Sequence, residues 1–325
     1  MRIVSGIQAT GALHLGRYFG AVKQFLELQG QGQSYVFIAD YHSLTSVRDP
    51  DQLSRYTQRI ALEYLALGLD PERVAVFRQS DVPAVCELAW ILSTVTPMGL
   101  LHRCHSYKDK TAQGIAPDHG LFAYPVLMAA DILIYGGEVV PVGQDQKQHV
   151  EVTRDIAIRF NQIYGEVLTI PEPRIHEATA KVPGVDGRKM SSSYGNQIRI
   201  FDAEKTIRKQ MMGIVTDSLG VEDVKEPEGN TIFELFRLMG TGAQTEDLAA
   251  RYRAGGMGYG HAKQALFEAF LSYFGKARTR FEELLGDPSP VEAVLAAGAA
   301  KARITAEETL VRVRDAVGLS RRLWD

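Results

Sequence analysis

The fold is decided by residues 5–17, which have the sequence Ser5-Gly6-Ile7-Gln8-Ala9-Thr10-Gly11-Ala12-Leu13-His14-Leu15-Gly16-Arg17. The apolar pair Ile3 and Val4 lies just before this stretch and predicts a first strand. Apolar residues then recur at steps of three and four, the spacing of an amphipathic helix, at Leu15, Tyr18, Phe19, Val22, Phe25 and Leu26. The sequence therefore predicts a strand, a glycine-rich turn and a helix.

This turn has features of a phosphate-binding site. Gly6 and Gly11 permit a positive φ, and Thr10 is the predicted helix cap. The first amides of a helix have no intrahelical partner and lie at the positive end of its dipole, and His14 in the first helical turn adds a donor. Most turns of this kind bind nothing, however, and the spacing fits neither G-x-x-x-x-G-K-[ST] nor G-x-G-x-x-G. This stretch alone leaves both interpretations open.

The composition is that of a globular protein without a general attraction for nucleic acid. The formal net charge is -3, so an RNA partner has to be bound by local patches or by shape. Cys86 and Cys104 form neither a disulfide scaffold nor a metal site, and they favour a reducing cytoplasm. The N-terminus has no signal-peptide pattern. The longest apolar run, residues 121–142, contains Asp131, whose burial in a bilayer would cost about 2.5 kcal/mol or more. We expect a cytoplasmic protein with no membrane span.

Three further apolar runs predict the other strands of a sheet. They are Tyr35–Ala39, Val74–Phe77 and Glu138–Val142. Helical patterns alternate with these runs, which is typical of an α/β protein with a Rossmann-like, doubly wound parallel sheet. Ligands bind such sheets beyond the carboxyl ends of the strands. Residues 40–42 and 143–146, which follow two of the strands, are therefore predicted to converge on one site with residues 5–17.

A carboxylate on an apolar helix is the most informative single residue. Pro125 predicts the first turn of this helix, and helical spacing then places Tyr124, Met128 and Asp131 on one side. A buried Asp131 without a donor would cost several kcal/mol. One interpretation is that a neighbouring backbone group or arginine satisfies it. The other is that Asp131 ends an apolar pocket and accepts a ligand N–H or O–H.

The second part of the chain is helical by periodicity, and a basic, turn-rich loop over residues 181–193 leads into it. Nothing in the sequence fixes this loop, so it could close onto a phosphate chain, although such loops are more often solvated linkers. The predicted helices are Glu204–Met212, Ile232–Met239, Thr245–Arg253, Gly260–Phe274, Lys276–Leu285, Val291–Ala300 and Ala306–Ala316. The simplest division is a Rossmann-like catalytic domain over residues 1–189 and a helical domain over 190–325, whose last helix could pack back on the first domain.

Several motifs resemble those of class I aminoacyl-tRNA synthetases. Residues 14–17 (HLGR) resemble the HIGH motif, and residues 189–193 (KMSSS) resemble the KMSKS motif. The runs 124–133 (YPVLMAADIL) and 141–149 (PVGQDQKQH) are similar to the bacterial tryptophanyl-tRNA synthetases, and the related tyrosine enzymes differ in the second run. The segments 216–218 (TDS) and 258–260 (GYG) also resemble the helical domain of that family. The resemblance covers essentially the whole chain.

This resemblance implies a tryptophan–tRNA ligase. Such an enzyme activates L-tryptophan with ATP and Mg²⁺ to the adenylate, and then transfers the aminoacyl group to the 2′-hydroxyl of the terminal adenosine of tRNA(Trp). The reaction depends on alignment and on stabilisation of negative charge, without a protein nucleophile. The family also implies a homodimer, and Tyr259, Lys263 and Arg278 are candidates for anticodon contacts. Two cysteines are too few for the iron–sulfur cluster found in one variant of this family.

The resemblance also implies roles for individual residues. The catalytic residues are His14, Lys189 and Gln8. The ATP site is formed by Gln8, Ala9, Thr10, His14, Gly16, Arg17, Gly143, Gln144, Asp145, Val182, Lys189, Met190, Ser191, Ser192 and Ser193. The tryptophan site is formed by Asp131, Tyr124, Met128, Gln146, His42 and Gly6, with no metal ligands. Asp131 would accept the indole N–H, and it would reject phenylalanine by about 10⁴–10⁵ because the carboxylate would then be unpaired.

The sequence departs from the family pattern at three positions. Ser192 replaces the second lysine of KMSKS and removes a positive charge where pyrophosphate charge develops. We therefore expect slower adenylate formation than in a two-lysine enzyme, with part of the charge supplied by Lys189, Arg188 or the basic segment 102–110. Arg17 stands where asparagine is more familiar, and Val4 where an aromatic residue is common.

Two other functions remain open at this point. A paralogue could bind tryptophan or its adenylate in a regulatory or partner-binding role with weak charging activity, and the altered KMSSS loop favours it. The helical domain argues against this, because a tryptophan-binding protein needs no anticodon-reading surface. A nucleotidyltransferase acting on a small acid, similar to pantothenate synthetase, is disfavoured by the run from Tyr124 to Asp131.

Overall fold

A computed structural model describes residues 1–104, 118–143, 146–174 and 182–320. Five strands form one parallel sheet in the order β3-β2-β1-β4-β5. The strands are β1 (Arg2–Ile7), β2 (Gln33–Ile38), β3 (Val74–Arg78), β4 (Val139–Pro141) and β5 (Glu172–Arg174). The predicted parallel α/β fold is confirmed. Strand β5 was not predicted, because proline is unusual in strands and Pro173 is the middle one of its three residues. The strand can form because β5 lies at the edge of the sheet, where proline is tolerated.

The helices of the first part lie between the strands. Helix α1 (Leu15–Arg17) continues through a π-helical turn (Tyr18–Val22) into α2 (Lys23–Leu28). The others are α3 (Asp40–Ser43), α4 (Pro50–Ala66), α5 (Ala84–Val95), α6 (Met98–His102), α7 (His119–Leu133) and α8 (Lys147–Tyr164). The prediction that Pro125 begins its helix is wrong, since α7 starts at His119 and the buried Leu121 packs in the additional turn.

The helices of the second part are fewer and longer than predicted. They are α9 (Glu204–Met212), α10 (Thr231–Met239), α11 (Gly242–Ala254), α12 (Tyr259–Gly286) and α13 (Ser289–Val317). The predicted breaks inside α12 and α13 are wrong. A glycine such as Gly275 costs a helix about 1 kcal/mol, which the burial of Phe270, Phe274 and Phe281 on either side outweighs.

Apolar contacts join the two parts of the chain. The ring of Phe274 in α12 packs edge-on against the ring of Tyr18 in the first part, with 4.9 Å between ring centroids. Helix α13 lies directly on β3, because a Cβ on Gly298 would be 2.0 Å from the carbonyl oxygen of Val76. Only glycine allows this approach. The division into domains at residue 190 stays a prediction.

None of the helices within the described ranges is both long and apolar enough to cross a bilayer.

Candidate active site

A cavity of about 690 Å³ opens beyond the carboxyl ends of β1, β2 and β4. The predicted site residues that line it are Gly6, Gln8, His14, Gly16, Arg17, His42, Tyr124, Met128, Asp131, Gly143, Gln146, Lys189, Met190, Ser191 and Ser192. The lining found among the described residues does not include Ala9, Thr10, Val182 and Ser193. Gln144 and Asp145 lie outside the described residues. The turns predicted to converge therefore do so, around one cavity.

The backbone amides of the first turn already have partners within the protein. The N–H of Leu15 donates to the carbonyl of Ile198 at 3.0 Å, and the N–H of Gly16 donates to Sδ of Met190 at 3.3 Å. The N–H of Leu13 donates to the buried carboxylate of Glu63 at 2.7 Å. The expectation that phosphate meets unpaired amides at this helix start is therefore wrong. Side chains are left to bind a phosphate here.

His14, and not Thr10, caps the helix. Its Nδ1 accepts a hydrogen bond from the N–H of Arg17, whereas Thr10 Oγ1 accepts one from Arg17 Nη2 at 2.6 Å. Burial, with Arg17 and Arg199 nearby, lowers the pKa of His14 to about 3. The ring is therefore neutral, and because Nδ1 accepts, Nε2 carries the proton. His14 offers the cavity an uncharged N–H donor.

Two glycines make room at the cavity wall. A Cβ on Gly16 would lie 3.1 Å from the His14 ring and 3.2 Å from Cβ of Met190. A Cβ on Gly6 would lie 2.6 Å from the Phe37 ring. Gly6 is thus required for close packing. Of the two glycines expected to allow a positive φ, Gly11 has φ +134°, whereas the φ of Gly6 is not positive.

The basic loop is held in place by its own contacts. Asn196 accepts from the N–H of Ser191 at 2.9 Å and donates to the carbonyl of Lys189 at 3.1 Å. Met190 is buried, and its N–H donates to the carbonyl of Val182 at 2.9 Å. The inference that nothing fixes this loop is therefore wrong. Asn196, which lies just after the loop in the sequence, holds it by hydrogen bonds that the sequence pattern does not reveal. Val182 packs in the apolar core.

Asp131 also lines the cavity and is 1% exposed. Its Oδ2 is 2.7 Å from His42 Nε2, and its Oδ1 accepts from Gln79 Nε2 at 2.7 Å. Burial raises the pKa of this carboxyl, and the two hydrogen bonds oppose that shift. Neighbours therefore satisfy part of the carboxylate, as the first interpretation expected, although they are a histidine and an amide instead of an arginine. Each oxygen keeps a lone pair for a ligand.

Two residues near Asp131 were missed or little used in the sequence analysis. Gln79 lies in a 3₁₀ turn directly after β3, at the same sheet edge as the other site residues. His149, in the first turn of α8, forms a hydrogen bond between its Nε2 and the Tyr124 hydroxyl. The position of Gln79 after a predicted strand was the signal that could have identified it.

The candidate anticodon residues bond within the chain. Tyr259 donates to both carboxylate oxygens of Asp217 at 2.9 Å. Lys263 donates to the carbonyl of Met212 at 3.0 Å, and Arg278 Nη1 donates to the carbonyl of Ile200. These contacts give all three residues a structural role. Their contact with RNA stays a prediction.

Comparison with known proteins gives a consistent result. A family model described as tRNA synthetases class I (W and Y) matches residues 1–275. A tryptophan–tRNA ligase from Rhodopirellula baltica is 50% identical over 319 residues, covering 98% of this chain and 100% of the relative. One from Fusobacterium nucleatum is 51% identical over 319 residues, covering 98% of each chain. A crystal structure of tryptophanyl-tRNA synthetase from Campylobacter jejuni, complexed with ADP and tryptophan, superposes with a TM-score of 0.90 at 48% identity, covering 98% of this chain and 100% of that one.

The chain belongs to the class I tRNA synthetases of the tryptophan and tyrosine group. Its sequence identity of about 50% to tryptophan–tRNA ligases, over 98% of the chain, further shows that it is an aminoacyl-tRNA ligase specific for tryptophan. The family and the activity implied by the sequence motifs are confirmed.

Proposed function

We propose that the two substrates of tryptophan activation bind at opposite ends of this cavity. The Asp131 end binds L-tryptophan, with Asp131 accepting the indole N–H and Tyr124, Met128 and Gln146 near the α-amino group. The other end binds ATP, with His14 and Lys189 at the phosphates. The observation that carries this proposal is one cavity whose wall combines a buried carboxylate with the HIGH-like and KMSSS residues.

The chemistry follows from this arrangement. The tryptophan carboxylate attacks the α-phosphorus of ATP, the bond to the bridging oxygen breaks, and pyrophosphate leaves with its electron pair. The protein aligns the two groups and places donors where charge develops. Gln8 and the neutral Nε2–H of His14 donate to phosphate oxygens, and Lys189 supplies positive charge. Mg²⁺ prefers phosphate oxygens and water, so we propose that it enters bound to ATP.

The second step and the setting are proposed on the same basis. The 2′-hydroxyl of the terminal adenosine of tRNA(Trp) attacks the adenylate carbonyl, and AMP leaves. We propose a cytoplasmic homodimer, for which the exposed side chains of Trp90 in α5 and Met98 in α6 are candidate apolar contacts. Sedimentation of the native chain beside Trp90→Ser tests this part: the variant should shift toward monomer, and a native monomer would contradict it.

Tryptophan-dependent exchange between ATP and pyrophosphate, followed by charging of tRNA(Trp), tests the proposal as a whole. We expect both activities with tryptophan and neither with tyrosine. Exchange without charging would instead identify the regulatory paralogue. Exchange with a small acid other than an amino acid would identify the nucleotidyltransferase.

A further inference from the structure

We propose that Arg17 supplies the positive charge on the ATP phosphates that the KMSSS loop lacks because of Ser192. This inference rests on the proposed binding of ATP in the cavity. It assigns to Arg17 a role for which the sequence suggested Lys189, Arg188 or the basic segment 102–110, of which residues 105–110 lie outside the described residues.

Because the N–H groups of Leu13, Leu15 and Gly16 already have partners, charged side chains are the main groups left for the phosphates at this helix start. Within the described part of the chain, the cavity-lining residues with a permanent positive charge are Arg17 and Lys189. His14 lines the same region, but its lowered pKa keeps it neutral. A triphosphate that reaches the turn would therefore meet two cations, one from the loop and one from the helix start.

The hydrogen bonding of Arg17 is incomplete in the way expected of a ligand-binding group. Nη2 donates to Thr10 Oγ1 at 2.6 Å, whereas the buried Nη1 has no hydrogen-bond partner among the described residues. A buried N–H without an acceptor costs about 1–3 kcal/mol. The planar guanidinium can bind phosphate through two parallel N–H groups, which Arg17 presents once its guanidinium turns from the core toward the cavity that it lines.

A buried carboxylate near Arg17 does not provide this partner. Burial lowers the pKa of Arg17, and the neighbouring Tyr64 and Glu63 counteract that effect. The oxygens of Glu63, however, accept hydrogen bonds from the N–H of Leu13 at 2.7 Å and from Arg59 Nε at 2.6 Å. Glu63 thus favours a charge at position 17 while its hydrogen bonds go elsewhere, and the nearby Tyr64 hydroxyl is likewise buried without a hydrogen-bond partner among the described residues.

A double-mutant cycle of Arg17→Asn and Ser192→Lys tests the proposal. One charge-assisted hydrogen bond corresponds to a loss of about 10- to 100-fold, so Arg17→Asn should reduce kcat/KM for ATP by this factor. In the Ser192→Lys background, Arg17→Asn should reduce kcat/KM for ATP by less than about 3-fold. Ser192→Lys alone should raise the rate a few-fold. Equal losses from Arg17→Asn in both backgrounds, or no loss, would overturn the proposal, because independent sites add.

Further measurements separate binding from folding and from the proposed function. Arg17→Asn should leave the KM for tryptophan unchanged, and Arg17→Lys, which keeps the charge but not the two parallel N–H groups, should lose less affinity for ATP than Arg17→Asn. Arg251→Asn removes an exposed arginine of the same charge from α11 and should have no effect. If the native chain showed no tryptophan-dependent exchange, the proposed function would fail. Calorimetric binding of ATP and of pyrophosphate to the four proteins of the cycle would then still decide the role of Arg17.

Discussion

Replacing Glu63 by glutamine tests whether a buried carboxylate under the first turn makes stability depend on pH. Glu63 is 0% exposed, and burial raises its pKa from 4.5 to about 7 despite the hydrogen bonds from Arg59 and Leu13. A tenfold change in proton affinity is worth about 1.4 kcal/mol, so this shift corresponds to about 3 kcal/mol. Because the folded state binds the proton more tightly, the stabilisation is complete below pH 4.5 and is lost as the pH rises through 7.

Urea unfolding at pH 5 and pH 8 measures this effect. From pH 5 to pH 8 the free energy of unfolding of the native chain should fall by about 2–3 kcal/mol more than that of Glu63→Gln. Glutamine is a suitable replacement because its amide oxygen can still accept from the N–H of Leu13. Glu72→Gln, at an exposed glutamate, should follow the native curve. If the difference between the native chain and Glu63→Gln were the same at both pH values, the carboxylate would not titrate as inferred.

Three further predictions concern the two ends of the cavity. Asp131→Ala should lower kcat/KM for tryptophan by about 10- to 100-fold, the effect of one hydrogen bond to a charged group, and change the KM for ATP less than about 3-fold; an unchanged efficiency would remove Asp131 from the pocket. Gly16→Ala should raise the KM for ATP by about 10-fold, because its Cβ displaces the His14 ring or Met190, and a normal KM would show that the wall can yield. The pKa of His14 is lowered to about 3, so the unfolded chain takes up this proton first and stability falls as the pH drops below 6.5. Between pH 7 and 4.5 the native chain should lose about 2–3 kcal/mol more than His14→Asn in urea titrations, and parallel losses would contradict a neutral buried ring.

The sequence predicted the sheet and the meeting of its turns because both depend on local patterns. Continuous apolar runs produced β1 to β4, and the rule that ligands bind beyond the carboxyl ends of strands placed His14, His42 and Gln146 at one cavity. Contacts between residues distant in sequence were not predictable in the same way. Ile198 and Met190 occupy the amides of the first turn, although they lie more than 170 residues further along the chain.

The long helices were divided wrongly for a related reason. Gly275 is an intrinsic helix breaker, and nothing local reveals that aromatic rings packed on both sides keep α12 continuous. The partners of Asp131 illustrate the same limit. A carboxylate on an apolar helix predicts that a partner exists, but only the fold shows that Gln79 and His42 provide it.

The preference for tryptophan over an analogue in which sulfur replaces the indole N–H, β-(3-benzothienyl)alanine, tests the tryptophan site most directly. The two side chains have nearly the same shape, so the ratio of their kcat/KM values in pyrophosphate exchange reports the hydrogen bond to Asp131. We predict that the native chain prefers tryptophan by about 100-fold or more and that Asp131→Ala loses most of this preference. Equal efficiency of the two substrates with the native chain would show that Asp131 does not bind the indole N–H.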